Sequence, residues 1–406
     1  MAGDEIKSFI HSNSQEMLDK LSALVAMPTV NPPGKSYRHG VDYLSRLLEE
    51  WHIVHDVIPV SEGRYPRFCI LGRVGQGTEV LHFHGHYDVV PAQSPTQFKP
   101  YLRNACLYGR GSSDMKSGLV VILYVLKFFQ NHSSKLGGKI SFSFVPDEES
   151  GSVLGAGYLA RAGLFPRPSF VMVMPEPTSG TVWFANKGAL TIRVSIRGKP
   201  AHVALEDQGE NPFESMIEVV RSMLTLKSKI RSRKTTLPVN PSGAKRSAML
   251  IGGESGSGVN FNVVPEEAFF TIDRRLNPEE KLADAKEELN KVFDEARSRG
   301  VKIETEVLQE GEASAAAPDT PLAEALRKNI LEVTGKNPSM ELCPGLCEIR
   351  FFNNRGIPAY AYGPGLLEVS HQQNEYVRIA DMHACTEVFI RTVLRLLDPR
   401  CRVEHT

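Results

Sequence analysis

The most constraining feature of this chain is the way short strand patterns alternate with helical ones. Phe170–Met174 is wholly apolar, as a strand buried on both faces of a parallel sheet is. Val80–His84 is a further candidate strand, Ile140–Val145 alternates apolar residues with serine, and Ala359–Tyr362 is another. Helices fall between them. Met17, Leu18, Leu21, Leu24 and Val25 share one face of a helix over residues 14–27, which Pro28–Gly34 stops. A second helix is predicted at about 40–51. Ser117-Gly118 opens a buried helix, Leu119–Phe129, and residues 380–397 form a closing helix. This order predicts an α/β fold with a mostly parallel sheet flanked by helices.

The middle of the chain follows a different grammar. Leu190–Ile196 alternates as a strand. Asn211-Pro212 caps a helix to about 230, with Asn as the cap and Pro at the first helical position. Met249–Gly252 and Ala268–Arg274 are strands, Asn277-Pro278 caps a second helix ending at Gly300, and Val301–Leu308 is the last strand. The sequence β-α-β-β-α-β is the ferredoxin-like unit. The expected organisation is therefore a discontinuous domain of residues 1–187 and 309–406, with a compact domain inserted at 188–308.

Composition removes several classes of function. The net charge is zero and no block of five or six like charges occurs, so no nucleic-acid or membrane partner is expected. The N-terminus lacks the basic and apolar stretches of a signal peptide. The longest apolar run, Leu119–Leu126, is far short of the roughly 20 residues that span a bilayer. A cytoplasmic protein is expected. The 6 cysteines do not form a disulfide scaffold, and Cys343 and Cys347 read as unpaired thiols around a turn.

Chemistry gathers at the predicted strand ends. His86 and Asp88 follow one strand, Asp147-Glu148-Glu149 another, and Glu176 a third, while His371 lies in the loop after a fourth. In open α/β sheets ligands bind beyond the carboxyl ends of the strands. Asp114 adds a fifth group from a Gly-rich loop before the buried helix. Mixed imidazole and carboxylate ligands suit zinc, with cobalt or manganese as alternatives. Adjacent carboxylates repel unless something positive sits among them. Singly, each piece reads as an ordinary turn or strand residue. His82, His84, His86 and Asp88 would share one strand face, and spacing does not choose among the histidines.

These residues, in order, carry a resemblance. Gly85–Pro91, Gly109–Gly118, Asp147–Gly151, Glu176–Thr178, Gly363–Gly365 and His371 resemble the M20 metallopeptidases, the group of acetylornithine deacetylase, succinyl-diaminopimelate desuccinylase, aminoacylase-1 and bacterial glutamate carboxypeptidase. The resemblance implies a catalytic α/β domain with an inserted ferredoxin-like lid. It implies two divalent metal ions, one held by His86 and Glu176, the other by Glu149 and His371, with Asp114 bridging. It makes Glu148 the general base, has Asp88 orient His86, and places a cis peptide after Asp114. His202 would stabilise the oxyanion in a neighbouring subunit's site, within a homodimer formed through the inserted domain. Asn262, Arg275 and Arg350 would bind substrate.

The resemblance is not uniform. The family's deacylases carry Asp two residues before the arginine matched by Arg350, and this chain has Glu348. Family aminopeptidases and dipeptidases often have Asp where this chain has Glu176. The expected activity is hydrolysis of the amide bond of an N-acyl amino acid by a two-metal-activated water. A carboxypeptidase or dipeptidase on the same site is the alternative. A non-catalytic binding protein on the same scaffold is a remote one, and it would have let Glu148 or the ligands decay.

Overall fold

The computed structural model describes residues 2–132, 136–165 and 172–398. The chain forms two compact units. One comprises Met1–Phe184, Ala316–Met340 and Phe351–Thr406, and the other Ala185–Ala315 with Glu341–Arg350.

The first unit is built on a mixed sheet. Its centre is parallel: Lys139–Val145 pairs with Val80–His86, which pairs with Met172–Met174, which pairs with Ala359–Ala361. The flanks are antiparallel, with Val54–Val60 on Arg67–Gly75, Arg67–Gly75 on Lys139–Val145, and Trp183 opposite Ala361. Those flanking strands left no clear period in the sequence, so the expected mostly parallel sheet is parallel only in its middle. Residues 170 and 171 of the predicted strand Phe170–Met174 lie outside the described residues.

The buried helix spans Ser117–Asn131. It packs against Ala2–Val25 and Ile379–Leu397. The first helix starts well before residue 14 because Ile6 and Ile10, both buried, extend its apolar face past a polar stretch that hid it. Among the described residues no helix is long and apolar enough to cross a membrane.

The second unit is a four-stranded antiparallel sheet in the order Ala248–Ser257, Glu267–Leu276, Gly188–Arg197, Lys302–Gly311. Two helices, Pro212–Arg231 and Leu282–Ser298, contribute Met216, Val219, Leu289 and Phe293 to a core with Val194 and Phe270. This is the β-α-β-β-α-β connection of the ferredoxin-like fold. Asn211 caps the first helix as its sequence predicts, accepting the Phe213 N–H at 3.1 Å. Asn277 does not cap the second. Its side chain is buried and donates to the Lys245 carbonyl at 3.1 Å, and the helix begins later, after Lys281. That helix ends at Ser298, ahead of Gly300, which takes up a positive φ of 94°.

Candidate active site

The four parallel strands end on one edge of the sheet, and each delivers a titratable group. His86 is the last residue of its strand. Val145 ends the next, and the turn Glu148–Ser150 follows. Glu176 comes just after Met174, and His371 lies in the loop beyond Ala359–Ala361. Asp114 enters from the turn Ser112–Lys116, at the head of the buried helix, and the Asp114–Met115 peptide is cis.

His86 Nε2 stands 3.4 Å from Asp114 Oδ1, 3.7 Å from Glu176 Oε1 and 4.0 Å from Glu148 Oε2. His371 Nε2 stands 3.2 Å from Asp114 Oδ2 and 3.2 Å from Glu149 Oε2. Two three-residue groups, His86–Asp114–Glu176 and Asp114–Glu149–His371, thus meet at Asp114, with the ligand atoms of each within 4.8 Å of one another. His86 Nε2 is buried and makes no hydrogen bond. A buried ring nitrogen left so is costly unless another group satisfies it. A cation there would satisfy it and relieve the repulsion among the carboxylates. Imidazole with carboxylate is a donor set for zinc, manganese or cobalt. The residues fit a pair of divalent cations.

The protein's own electrostatics show the same demand for positive charge. Hydrogen bonds to Asp114 and Glu149 push the His371 imidazole up to about 11 against the effect of burial. Burial pulls His86 down, but Asp114 and Asp88 more than reverse it, and it ends well above the usual histidine range. Burial also tends to raise Asp114, yet the neighbouring imidazoles of His371 and His86 hold it below the ordinary carboxylate range. For Glu149 burial prevails and raises it. Both imidazoles are thus held above the ordinary histidine range, so a cation binding at their nitrogens would compete with protons. Zinc added to chelator-treated protein at pH 7 should release about two protons per chain, and affinity should rise with pH as each imidazole is more easily deprotonated. Calorimetry in buffers of different ionisation enthalpy measures the release; a value near zero contradicts this picture.

Strand register separates the histidines. His82 and His84 lie opposite Ser141 and Ser143 on the neighbouring parallel strand, while His86 lies opposite Val145. His82 bonds both serines at 2.8 and 2.9 Å, and His84 bonds Ser143 at 2.5 Å. His86 has no hydroxyl beside it and turns its Nε2 to the carboxylates.

Asp88 supports two groups at once. His86 Nδ1 is 3.1 Å from the Asp88 carbonyl oxygen and 3.4 Å from its carboxylate. The same carboxylate accepts the Glu148 and Glu149 N–H groups at 3.3 and 3.2 Å and the Asn31 amide at 2.9 Å. Asp147, at a positive φ of 74°, accepts the Ser150 hydroxyl and the Leu154 N–H, both at 2.8 Å. The turn bearing Glu148 is thus held from below by Asp88, Asn31 and Asp147. Sequence reading had not singled out Asn31.

Glu176 is held by close backbone packing. A Cβ on Gly118 would lie 2.2 Å from the Pro175 carbonyl oxygen, and one on Gly363 would lie 2.3 Å from the Pro175 carbonyl carbon. Neither contact can relax without moving the chain that carries Glu176. Gly118→Ala is therefore expected to lower cation affinity beside His86 and Glu176 by about 10–100-fold. Elemental analysis after dialysis checks this, and wild-type metal content in a folded variant contradicts it.

Two residues missed by sequence reading join the site loops. Arg110 donates one guanidinium nitrogen to Glu375 Oε2 at 2.5 Å and the other to the His371 carbonyl at 3.1 Å. Glu375 Oε1 accepts the Ser113 and Asp114 N–H groups, both at 3.0 Å. The pair is 265 residues apart in the chain, so only the fold reveals it.

The other expected residues belong to the second unit. His202 is exposed, and its Nδ1 accepts the Ala204 N–H at 3.1 Å. The Asn262 carbonyl accepts the Val203 N–H at 3.0 Å. Arg275 grips Asp273 with two bonds of 2.7 and 3.0 Å, so its fork is already engaged within the unit. Arg350 and Glu348 are both buried.

The chain is 27% identical over 357 residues to a succinyl-diaminopimelate desuccinylase of Gluconacetobacter diazotrophicus, covering 84% of this chain and 87% of that one. In fold it resembles the di-peptidase Dug1p of Saccharomyces cerevisiae, with TM-score 0.79 and 16% identity over 97% of this chain and 98% of that one. It also resembles the M20 family metallo-carboxypeptidase Sso-CP2 of Sulfolobus solfataricus, with TM-score 0.78 and 17% identity over 93% and 98% of the two chains. Residues 82–395 match the model of peptidase family M20/M25/M40, and with most of its length inside that match the chain belongs to this family of hydrolases.

Proposed function

We propose that the protein hydrolyses the amide bond of an N-acyl amino acid with two divalent cations, zinc first among them. His86 and Glu176 would hold one, Glu149 and His371 the other, and Asp114 would bridge. The observation that carries this reading is the divided carboxylate of Asp114, with one oxygen 3.4 Å from His86 Nε2 and the other 3.2 Å from His371 Nε2. When bound, the cations supply Lewis acidity toward the acyl carbonyl and lower the pKa of a water molecule.

Glu148 takes the proton of the attacking water and returns it to the leaving amine. Its side chain is 15% exposed, enough to meet water, and Asp88 fixes its backbone. Asp88 also holds His86 at its second nitrogen, which sets the ring's tautomer and angle. His202, exposed on the second unit with its Nδ1 held by the Ala204 N–H, is proposed to donate a hydrogen bond from Nε2 to the oxyanion formed in the site of a second copy. Arg275, Asn262 and Arg350 are proposed to bind the substrate, with the planar fork of Arg275 suited to a carboxylate once Asp273 yields it. A homodimer through the second unit is supported by the apolar side chains Phe213, Ile217 and Leu224, exposed along one helix.

The likeness to a desuccinylase supports an acyl substrate, while the likeness to the di-peptidase and the carboxypeptidase is one of fold. A panel of N-acetyl and N-succinyl amino acids and dipeptides, assayed with Zn²⁺ or Co²⁺, tests the choice. The proposal expects kcat/KM for an acyl amino acid to exceed that for any dipeptide by about tenfold or more. The reverse order would make the protein a peptidase.

A further inference from the structure

We infer that Arg110 and Glu375 are positioning residues that lock the bridging carboxylate of Asp114 and the ring of His371 into one unit. The inference rests on the two-cation reading above.

The pattern is a cross-stitch. Arg110 stands on the Asp114 loop and reaches across to the carbonyl of His371, 3.1 Å away. Glu375 stands on the His371 loop and reaches back to the N–H groups of Ser113 and Asp114, each at 3.0 Å. The two meet in the middle, where Arg110 donates to Glu375 Oε2 at 2.5 Å. Each residue lies four positions from the ligand on its own loop and bonds the backbone at the ligand on the other. The pair's side chains thus tie the backbone at Ser113 and Asp114 to that at His371.

Stability alone does not account for such a pair. Arg110 and Glu375 are each only 1% exposed. Burying an ion pair costs so much desolvation that apolar replacements are often as stable. Nor is the pair needed to bring its two segments together, because Tyr376–Arg378 and Cys106–Tyr108 already pair as antiparallel strands beside it. Gln97 adds further anchorage, its amide donating to the Gln372 and Gln373 carbonyls at 3.2 and 3.1 Å. What the ion pair adds is angle and spacing at the ligands. The need is greatest at His371, whose side chain is 47% exposed and whose backbone has a positive φ of 64° in an irregular loop. His86, by contrast, is fully buried at the end of a central strand.

Two substitutions separate positioning from bulk. Glu375→Gln keeps one oxygen for the two N–H groups but turns an amide NH₂ toward Arg110. Arg110→Lys keeps the positive charge but loses the second nitrogen that reaches His371. Cobalt titrations of the metal-free proteins, followed by calorimetry and by the visible Co²⁺ absorption, read the two binding events separately. Both variants should fold with wild-type circular dichroism and lose about 10–100-fold in affinity for the cation beside His371 and Glu149, with a smaller loss beside His86 and Glu176. Turnover number should fall while KM stays near the wild-type value. Glu375→Asp, which keeps the charge but retracts it, should fall between wild type and Glu375→Gln.

Two cations bound by both variants with wild-type affinity and an unchanged absorption spectrum would overturn the inference. Should Glu375→Gln fail to fold, Arg110→Lys decides alone; if neither folds, the pair serves folding and the inference is overturned. A wild-type protein that takes up fewer than two cations would overturn the two-cation reading itself, and the inference with it. Two cations in the wild type and unaltered binding in the variants would leave that reading standing and remove only the inference.

Discussion

Glu148→Ala is expected to keep both cations and lose turnover by about 10²–10⁴-fold, the range of a positioned general base. The carboxylate lies near the cluster but outside its two three-residue groups, 4.0 Å from His86 Nε2 at Oε2. Its backbone N–H is held by Asp88 and its neighbour Glu149 by the same carboxylate, so truncating the side chain leaves the turn and the ligand in place. KM should change little, because the lost interaction belongs to the transition state. Steady-state kinetics with metal analysis on the same sample reads both quantities. Activity near wild type removes Glu148 from the proposed role, and loss of a cation moves it into the ligand set.

Asp114→Ala should be more damaging. It removes both oxygens of the only residue common to the two ligand groups, and each imidazole then faces one fewer carboxylate. Occupancy should fall at both positions, and activity on the order of 10³-fold or more with it, since in the proposed mechanism the cations lower the pKa of the attacking water. His371→Ala offers the comparison. It should deplete the position beside Glu149 and leave a cation beside His86 and Glu176. Two retained cations in Asp114→Ala, measured by elemental analysis after dialysis, would exclude the bridging role.

Much of the fold is legible because the physics is local. In Val80–His86 the residues Leu81 and Phe83 alternate with His82, His84 and His86, as in a strand, while Ser117–Asn131 carries an apolar run long enough for a helix. The inserted unit is legible because its strands alternate and Asn211-Pro212 marks a helix start. Asn277-Pro278 carries the same local signal and misleads, because Asn277 is drawn away to the Lys245 carbonyl. The antiparallel flanks of the large sheet are equally obscure, since Val54–Val60 is mostly exposed and carries no continuous apolar face.

At the site, the strand ends announce carboxylates and imidazoles, but choosing His86 over His82 and His84 needs the register that sets Ser141 and Ser143 opposite the other two. In retrospect the alternating serines of that strand were the signal, a period of two matching the period of the histidines. Arg110 and Glu375 gave no such sign. Each is one charged residue in a polar loop, and their meaning arises only when segments far apart in sequence run side by side.

Anomalous diffraction from crystals of the protein grown with zinc tests the central claim most directly. The account predicts two separate peaks on either side of the Asp114 carboxylate, one beside His86 Nε2 and Glu176, the other beside His371 Nε2 and Glu149. A single peak under zinc excess, or zinc bound away from Asp114, would contradict it.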